Sequence, residues 1–176
     1  MLKVSEPSEC LLFSSFLYRS DLFEESELKD LWKKHYGEFF AFSPQENPLK
    51  DYYSHEMGHA ELLKRFFLVS TQHFKRDILL SSKLLALEWE NFYARDSKRM
   101  VNIDTGTVSL ENFLLGTTKN YSHRIFVGQG IFADLTYEFN QGRYRELPWT
   151  YPDYRDSEKL DFITWTRSYL LTKLQS

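Results

Sequence analysis

The chain of 176 residues carries 22 Lys plus Arg against 25 Asp plus Glu, so its formal charge of -3 supplies no positive field for a polyanion and nucleic acid is not an expected partner. A hydrophobic fraction of 42% with 17% aromatics excludes a disordered chain, and a domain of this length buries roughly 70% of its unfolded surface. The single Cys10, beside Leu11, Leu12 and Phe13, excludes an internal disulfide and a cysteine metal cage and reads as a core residue.

Met1 to Glu9 lacks the charged start and apolar run of a signal peptide, and no stretch approaches the roughly 18 apolar residues of a membrane span. A cytoplasmic protein without a membrane partner is therefore expected. Neither a repeat nor a linker divides residues 1–176, which predicts one α+β domain.

Cys10 to Leu17, dense in Leu and Phe, predicts a buried strand. Asp21 and Glu24 form a capping box ahead of Leu28, Leu31, Trp32 and Tyr36 at helical spacing, and Gly37 closes that helix. Glu38 to Phe42 is a second strand, stopped by Ser43 and Pro44; Gln45 to Gly58, polar and aromatic without a period, predicts a long ordered loop. Phe66 to Val69 lies within a third strand, and Asp77 opens a helix with Ile78, Leu85, Trp89 and Phe92 on one face. With Met100 to Ile103 as a fourth strand, the order through Asp104 is strand, helix, strand, strand, helix, strand, that of the ferredoxin-like fold.

Ser109 to Leu115 then predicts a short helix. Tyr121 to Val127, Ile131 to Phe139 and Arg143 to Leu147 predict an antiparallel meander. A three-residue turn at Gly128 to Gly130 pairs Val127 with Ile131 and puts Arg124 opposite Asp134, with His123 beside Leu135. Asp156 or Ser157 caps a last helix with Leu160, Ile163, Leu170 and Leu174 as its buried stripe.

No phosphate-binding glycine loop, dinucleotide fingerprint, zinc-protease helix or nucleophile elbow is present. Chemistry concentrates instead in four segments. In Asp51 to Gly58, Asp51, His55 and Glu56 have the groups to ligate a cation or handle a proton, against a plain loop pinned by its tyrosines. Asn102 and Asp104 point together across a pleat, or serve an ordinary turn before Gly106. Thr117 to Arg124 gathers Lys119, His123 and Arg124, the best anion-site candidate, against a packed His123 and a paired Arg124. Leu147 to Arg155 places Trp149, Tyr151 and Asp153 around two prolines, either a stacking wall for a planar ligand or aromatic packing on a sheet.

Asp51-Tyr52-Tyr53-x-x-Glu56-Met57-Gly58, Asn102-Ile103-Asp104, Lys119-x-x-x-His123-Arg124 and Trp149-Thr150-Tyr151-Pro152-Asp153-Tyr154, taken in that order, resemble the bacterial family known as domain of unknown function 4416. The chain departs from that pattern at Thr105, where the resemblance implies Pro, and at Asp134, where it implies Glu. The resemblance implies no reaction.

The residues themselves favour a pocket for a small anionic ligand, a nucleotide or phosphorylated compound, with hydrolysis or phosphoryl transfer within reach. Lys119 and Arg124 would hold the anion, His123 would act as acid or base, and Asp51, Glu56 and Asp104 would bind Mg²⁺. Asn102, Trp149, Tyr151 and Asp153 would complete the ligand contacts. The competing expectation is a non-enzymatic protein-interaction domain using the aromatic-proline segment and the long loop.

Overall fold

In the computed structural model, which describes residues 3–44 and 50–175, every residue of strand β1 (Cys10–Arg19) except Arg19 is buried. A strand apolar on both faces belongs in the middle of a covered sheet. Alternate side chains point to opposite faces, so Leu12, Phe16 and Tyr18 enter one apolar cluster while Leu11 and Phe13 enter another.

The first cluster takes Leu28, Trp32 and Tyr36 from α1 (Glu25–Tyr36). β2 (Phe39–Phe42), α2 (Lys50–Met57) and β3 (Leu63–Phe74) follow. Ala86 and Trp89 of α3 (Ile78–Phe92) complete the first cluster. The second is covered by Ile163 and Leu170 of α4 (Ser157–Gln175), and on the same side of the sheet α2 lays Met57 and Tyr53 against Leu17.

Strands β4 (Val101–Val108), β5 (Asn112–Thr117), β6 (Arg124–Gly128), β7 (Ile131–Asn140) and β8 (Arg143–Glu146) complete an eight-stranded antiparallel sheet. The order is β2-β3-β1-β4-β5-β7-β6, with β8 also pairing β7. Among the described residues the fold is thus four α-helices and one sheet, and no helix is long and apolar enough to cross a membrane.

Three local expectations are corrected. Ser109 to Leu115 is a turn leading into β5 rather than a helix. The Ser109 N–H donates to the Asn112 carbonyl at 2.9 Å and the Asn112 N–H donates back to Ser109 Oγ at 3.1 Å, which closes a tight connection and turns Phe113 and Leu115 inward at strand spacing. Of the loop expected from Gln45 to Gly58, residues 45–49 lie outside the described residues and Lys50–Met57 is helical, its Tyr53 and Met57 four apart on the face that meets Leu17. The capping box is not formed: Asp21 takes two hydrogen bonds from Arg19 at 2.7 Å, and Glu24 stands at the N-cap without a side-chain cap bond.

The feature that shapes the site is a fork in the sheet. β4 and β5 pair only from Gly106 to Val108, against Phe113 to Leu115. The strands approach so closely there that a Cβ on Gly106 would lie 2.3 Å from the Leu114 carbonyl oxygen. Earlier in β4 the outward edge has no strand partner among the described residues, and side chains of α3 take its place. Lys83 Nζ donates to the Ile103 carbonyl at 2.9 Å, and the Ile103 N–H donates to Glu90 Oε1 at 2.6 Å. Two charged side chains thereby satisfy backbone groups that a ladder would otherwise take.

Candidate functional site

The fork holds a cleft of about 350 Å³. Asn102 and Asp104, two apart on β4, point off the same face of the sheet, where their cross-strand partners are Leu17 and Ser15. Lys83 and Glu90 close the cleft from α3, Tyr53 from α2, and Asp153 and Tyr154 from a 3-10 turn at Pro152–Tyr154. Thr118, Lys119, Tyr52 and Tyr151 are exposed and form its mouth.

A relay of polar contacts sets the inner carboxylate. Arg99 donates through Nη2 to Glu56 Oε2 at 2.5 Å and through Nη1 to Asn102 Oδ1 at 2.6 Å, and Asn102 Nδ2 donates to Asp104 Oδ2 at 3.3 Å. Asp104 lines the cleft and is half-buried. Burial raises the Glu90 carboxyl above its ordinary range, against the pull of Lys83.

The segment expected to hold an anion is divided by the structure. Arg124, opposite Asp134 in the ladder, donates from Nε to Asp134 Oδ2 at 2.7 Å, from Nη1 to the Lys119 carbonyl at 3.0 Å and from Nη2 to the Tyr151 hydroxyl at 3.1 Å. Its side chain is only 2% exposed, so it clamps two mouth residues to β7 rather than facing the cleft. His123 stacks on Trp149 with centroids 5.2 Å apart and sits 3.5 Å from Asp134, while the Trp149 indole donates to the Leu135 carbonyl at 2.7 Å. Lys119 extends into the mouth, and among the described residues its ammonium has no ion pair or hydrogen bond.

The cleft therefore collects Asn102, Asp104, Lys119, Tyr151 and Asp153. Glu56 stands one hydrogen bond away behind Arg99, whereas His123, Arg124 and Trp149 form a buttress beside it. Asp51 is exposed on the first turn of α2, outside the cleft wall. Among the described residues no three His, Cys, Asp or Glu side chains form a group able to hold a metal ion, so Asp51, Glu56 and Asp104 do not converge on Mg²⁺.

Lys83, Glu90, Arg65 and Lys159 escaped the sequence reading although a signal was present. Lys83 and Glu90 fall on the helical stripe of Leu79 and Ala86, and Lys159 lies four residues before Ile163 on the buried stripe of α4. Arg65 alternates with Leu63 and Phe67 on one face of β3. A charge at a core position needs a partner. Arg65 and Lys159, behind the cleft wall, both find theirs in Asp153.

A family model described as "Domain of unknown function (DUF4416)" matches residues 8–169, a span that contains every residue of the cleft. No curated protein and no solved structure matches the chain.

Proposed function

We propose, for a chain that belongs to the DUF4416 family, that the cleft in the β4–β5 fork binds a small phosphorylated ligand, nucleotides included. The observation that carries this reading is the ammonium of Lys119, unpaired among the described residues, at a mouth that also presents the Thr118 hydroxyl and that of Thr117, which accepts from the Lys119 N–H. The other cations of the wall are occupied: Lys83 on the Ile103 carbonyl, Arg99 on Glu56 and Asn102. Tyr52 and Tyr151 offer rings for a planar portion, and Asn102 with Asp104 offers hydrogen-bonding groups deeper in. Should the ligand be hydrolysed or its phosphoryl group transferred, Asp104 is the carboxylate in position to take a proton, since His123 is packed against Trp149.

Thermal unfolding against nucleotides and sugar phosphates tests the reading. A ligand at a hundred times its Kd adds about 2.7 kcal/mol, which for a chain of this size raises the midpoint by roughly 5 to 11 °C. Lys119→Ala is expected to remove that shift while leaving the ligand-free midpoint unchanged; an undiminished shift in the variant would sink the proposal.

A second reading, a protein-interaction domain, draws on the sheet edge rather than on the aromatic-proline segment. Among the described residues β6 pairs only with β7, and it exposes Ile125 at 73%, Phe126 at 61% and Val127 at 39%, with no charged residue from 125 to 133 to guard the edge. On this reading Phe126→Lys lowers a concentration-dependent mass seen by light scattering; wild type that is monomeric at every concentration removes its support from self-association.

In finer terms, we read the β2-β3-β1-β4 half, with α1 and α3 on one face, as ferredoxin-like. We read the setting as cytoplasmic, in keeping with a buried Cys10 thiol that burial pushes up to about 12.

A further inference from the structure

The carboxylates on the cleft wall are unequally engaged. Asp153 is ion-paired with Arg65, and Glu90 accepts from the Ile103 N–H at 2.6 Å with Arg99 Nη1 3.7 Å away. Asp104 has, among the described residues, no ion pair and one long hydrogen bond, from Asn102 Nδ2 to Oδ2 at 3.3 Å. Its charge acts on Lys159, behind the wall, only at a distance. A half-buried carboxylate is stabilised by donors, and its two oxygens accept side by side. A ligand seated against Asp104 therefore brings N–H groups to it.

The surroundings suit a flat ring. Tyr52 and Tyr53 of α2 pack edge to face with centroids 5.2 Å apart, and Tyr151 stands at the mouth. An exposed tyrosine ordinarily swings between rotamers, but Tyr151 is fixed from behind: Arg124 Nη2 donates to its hydroxyl at 3.1 Å and the guanidinium lies 5.9 Å from its ring. Rings held in advance stack on a planar ligand at little entropic cost. Asn102 is held likewise, its Oδ1 accepting from Arg99 at 2.6 Å. One of its two amide hydrogens goes to Asp104, which leaves the other for an acceptor. Asn102 and Asp104 thus set one donor beside two acceptors. Among the common nucleobases guanine alone carries the complement: O6 accepts, while N1–H and N2–H donate from adjacent positions. Adenine and cytosine pair one amino group with an acceptor nitrogen, and uracil has one N–H between two carbonyls.

We propose that the cleft is a guanine nucleotide site, in which Asp104 takes N1–H and N2–H, Asn102 donates to O6 and the phosphate sits at Lys119. The proposal rests on the cleft being the phosphorylated-ligand site. Its volume of about 350 Å³ falls among small-ligand sites, about 300–1,000 Å³. A bare ammonium would also meet Asp104 but would leave the tyrosine rings and the Asn102 hydrogen unused. Asp104 engaged on the ring is not free to take a proton, so this pose is one of binding rather than hydrolysis.

Calorimetric titration with GMP, IMP and XMP tests the base separately from the phosphate. At ring position 2 they carry an amino group, a hydrogen and an oxygen in turn. Wild type is expected to bind GMP about tenfold tighter than IMP, the worth of one charge-assisted hydrogen bond, and to bind XMP weakest because its 2-oxo group faces the carboxylate. Asp104→Asn exchanges one acceptor for a donor of the same shape and is expected to place XMP above GMP, a gain that a merely damaged cleft does not produce. Lys119→Ala should weaken all three alike and leave their ratios unchanged. Equal binding of GMP and IMP by wild type, or the wild-type order retained in Asp104→Asn, overturns the guanine assignment and leaves the phosphate reading standing. Binding of none of the three overturns the assignment too, and ribose 5-phosphate then decides the phosphate reading by itself: binding retains it, and no binding sinks it as well.

Discussion

Arg124→Ala is expected to cost about 3–5 kcal/mol of folding free energy, because it strands Asp134 as a buried charge without its partner. Asp134 is 4% exposed, and once the guanidinium is gone the partners left to its side-chain oxygens among the described residues are Thr136 Oγ1, at 3.3 Å, and the more distant His123. The guanidinium also holds the Lys119 carbonyl and the Tyr151 hydroxyl and lies over the ring of Tyr121 at 4.7 Å, so truncation loses packing and two further hydrogen bonds. Urea unfolding reads the loss as a lower midpoint at unchanged slope. Adding Asp134→Ala to the variant should recover part of it, since the uncompensated charge disappears with its carboxylate. A loss below about 1 kcal/mol, the range of an exposed pair, would mean that the ion pair is solvated. Ligand affinity should fall as well, through freed Lys119 and Tyr151 rather than through a lost contact, so residual binding at saturating ligand separates this variant from Lys119→Ala.

That ion pair was legible in the sequence, since glycines at 128 and 130 mark a short turn and alternation fixes which side chains meet across it. The ladder aligns Gly128 with Ile131 and Phe126 with Phe132, and the irregularity between them absorbs the offset from the expected Val127 pairing while Arg124 stays opposite Asp134. β1, α1 and α4 were equally legible, because each carries a long periodic stripe; of the face expected in α3, Ile78, Leu85 and Trp89 pack on the core but Phe92 is 80% exposed, since the buried face runs through Leu79, Lys83, Ala86 and Glu90. β5 was not. Phe113 and Leu115 suit a strand, but the spacing of Leu110, Phe113 and Leu114 also suits a helix, and the Ser109–Asn112 turn decides between them through hydrogen bonds that periodicity does not register. α2 was missed because only Tyr53 and Met57 of its residues meet the Leu17 cluster, too few to set a period. The cleft was invisible for a different reason: it exists because β5 leaves β4 after three paired residues, and where two strands part depends on the whole sheet. Residues expected to act together at 119, 123 and 124 are neighbours in sequence, yet Lys119 and His123 lie in the connection between β5 and β6, where Lys119 lines the mouth and His123 stacks on Trp149 while Arg124 clamps Asp134.

Lys159→Met is expected to stabilise the protein at acidic and neutral pH, because the burial cost of the ammonium is removed while Asp153 keeps Arg65 as its partner. Burial first, and then the charge of Arg65, lower the Lys159 ammonium from an ordinary 10.5 to about 7; Asp156 and Asp104 pull the other way, and Asp153 lies within ion-pair range. Between those values the unfolded chain keeps a proton that the folded chain has released. The unfolded state thus binds more protons, and stability from this group rises with pH across that window. Below about 7 the amine is protonated in both states and the full burial cost is present. The advantage of Lys159→Met should therefore be constant under acidic conditions and shrink as the pH climbs above about 7. Urea midpoints of the two proteins measured in parallel from acid to mildly alkaline pH read this directly, and the buried tyrosines, common to both, cancel in the difference. A variant less stable than wild type at low pH would show instead that the ammonium contributes more through Asp153 than its burial costs.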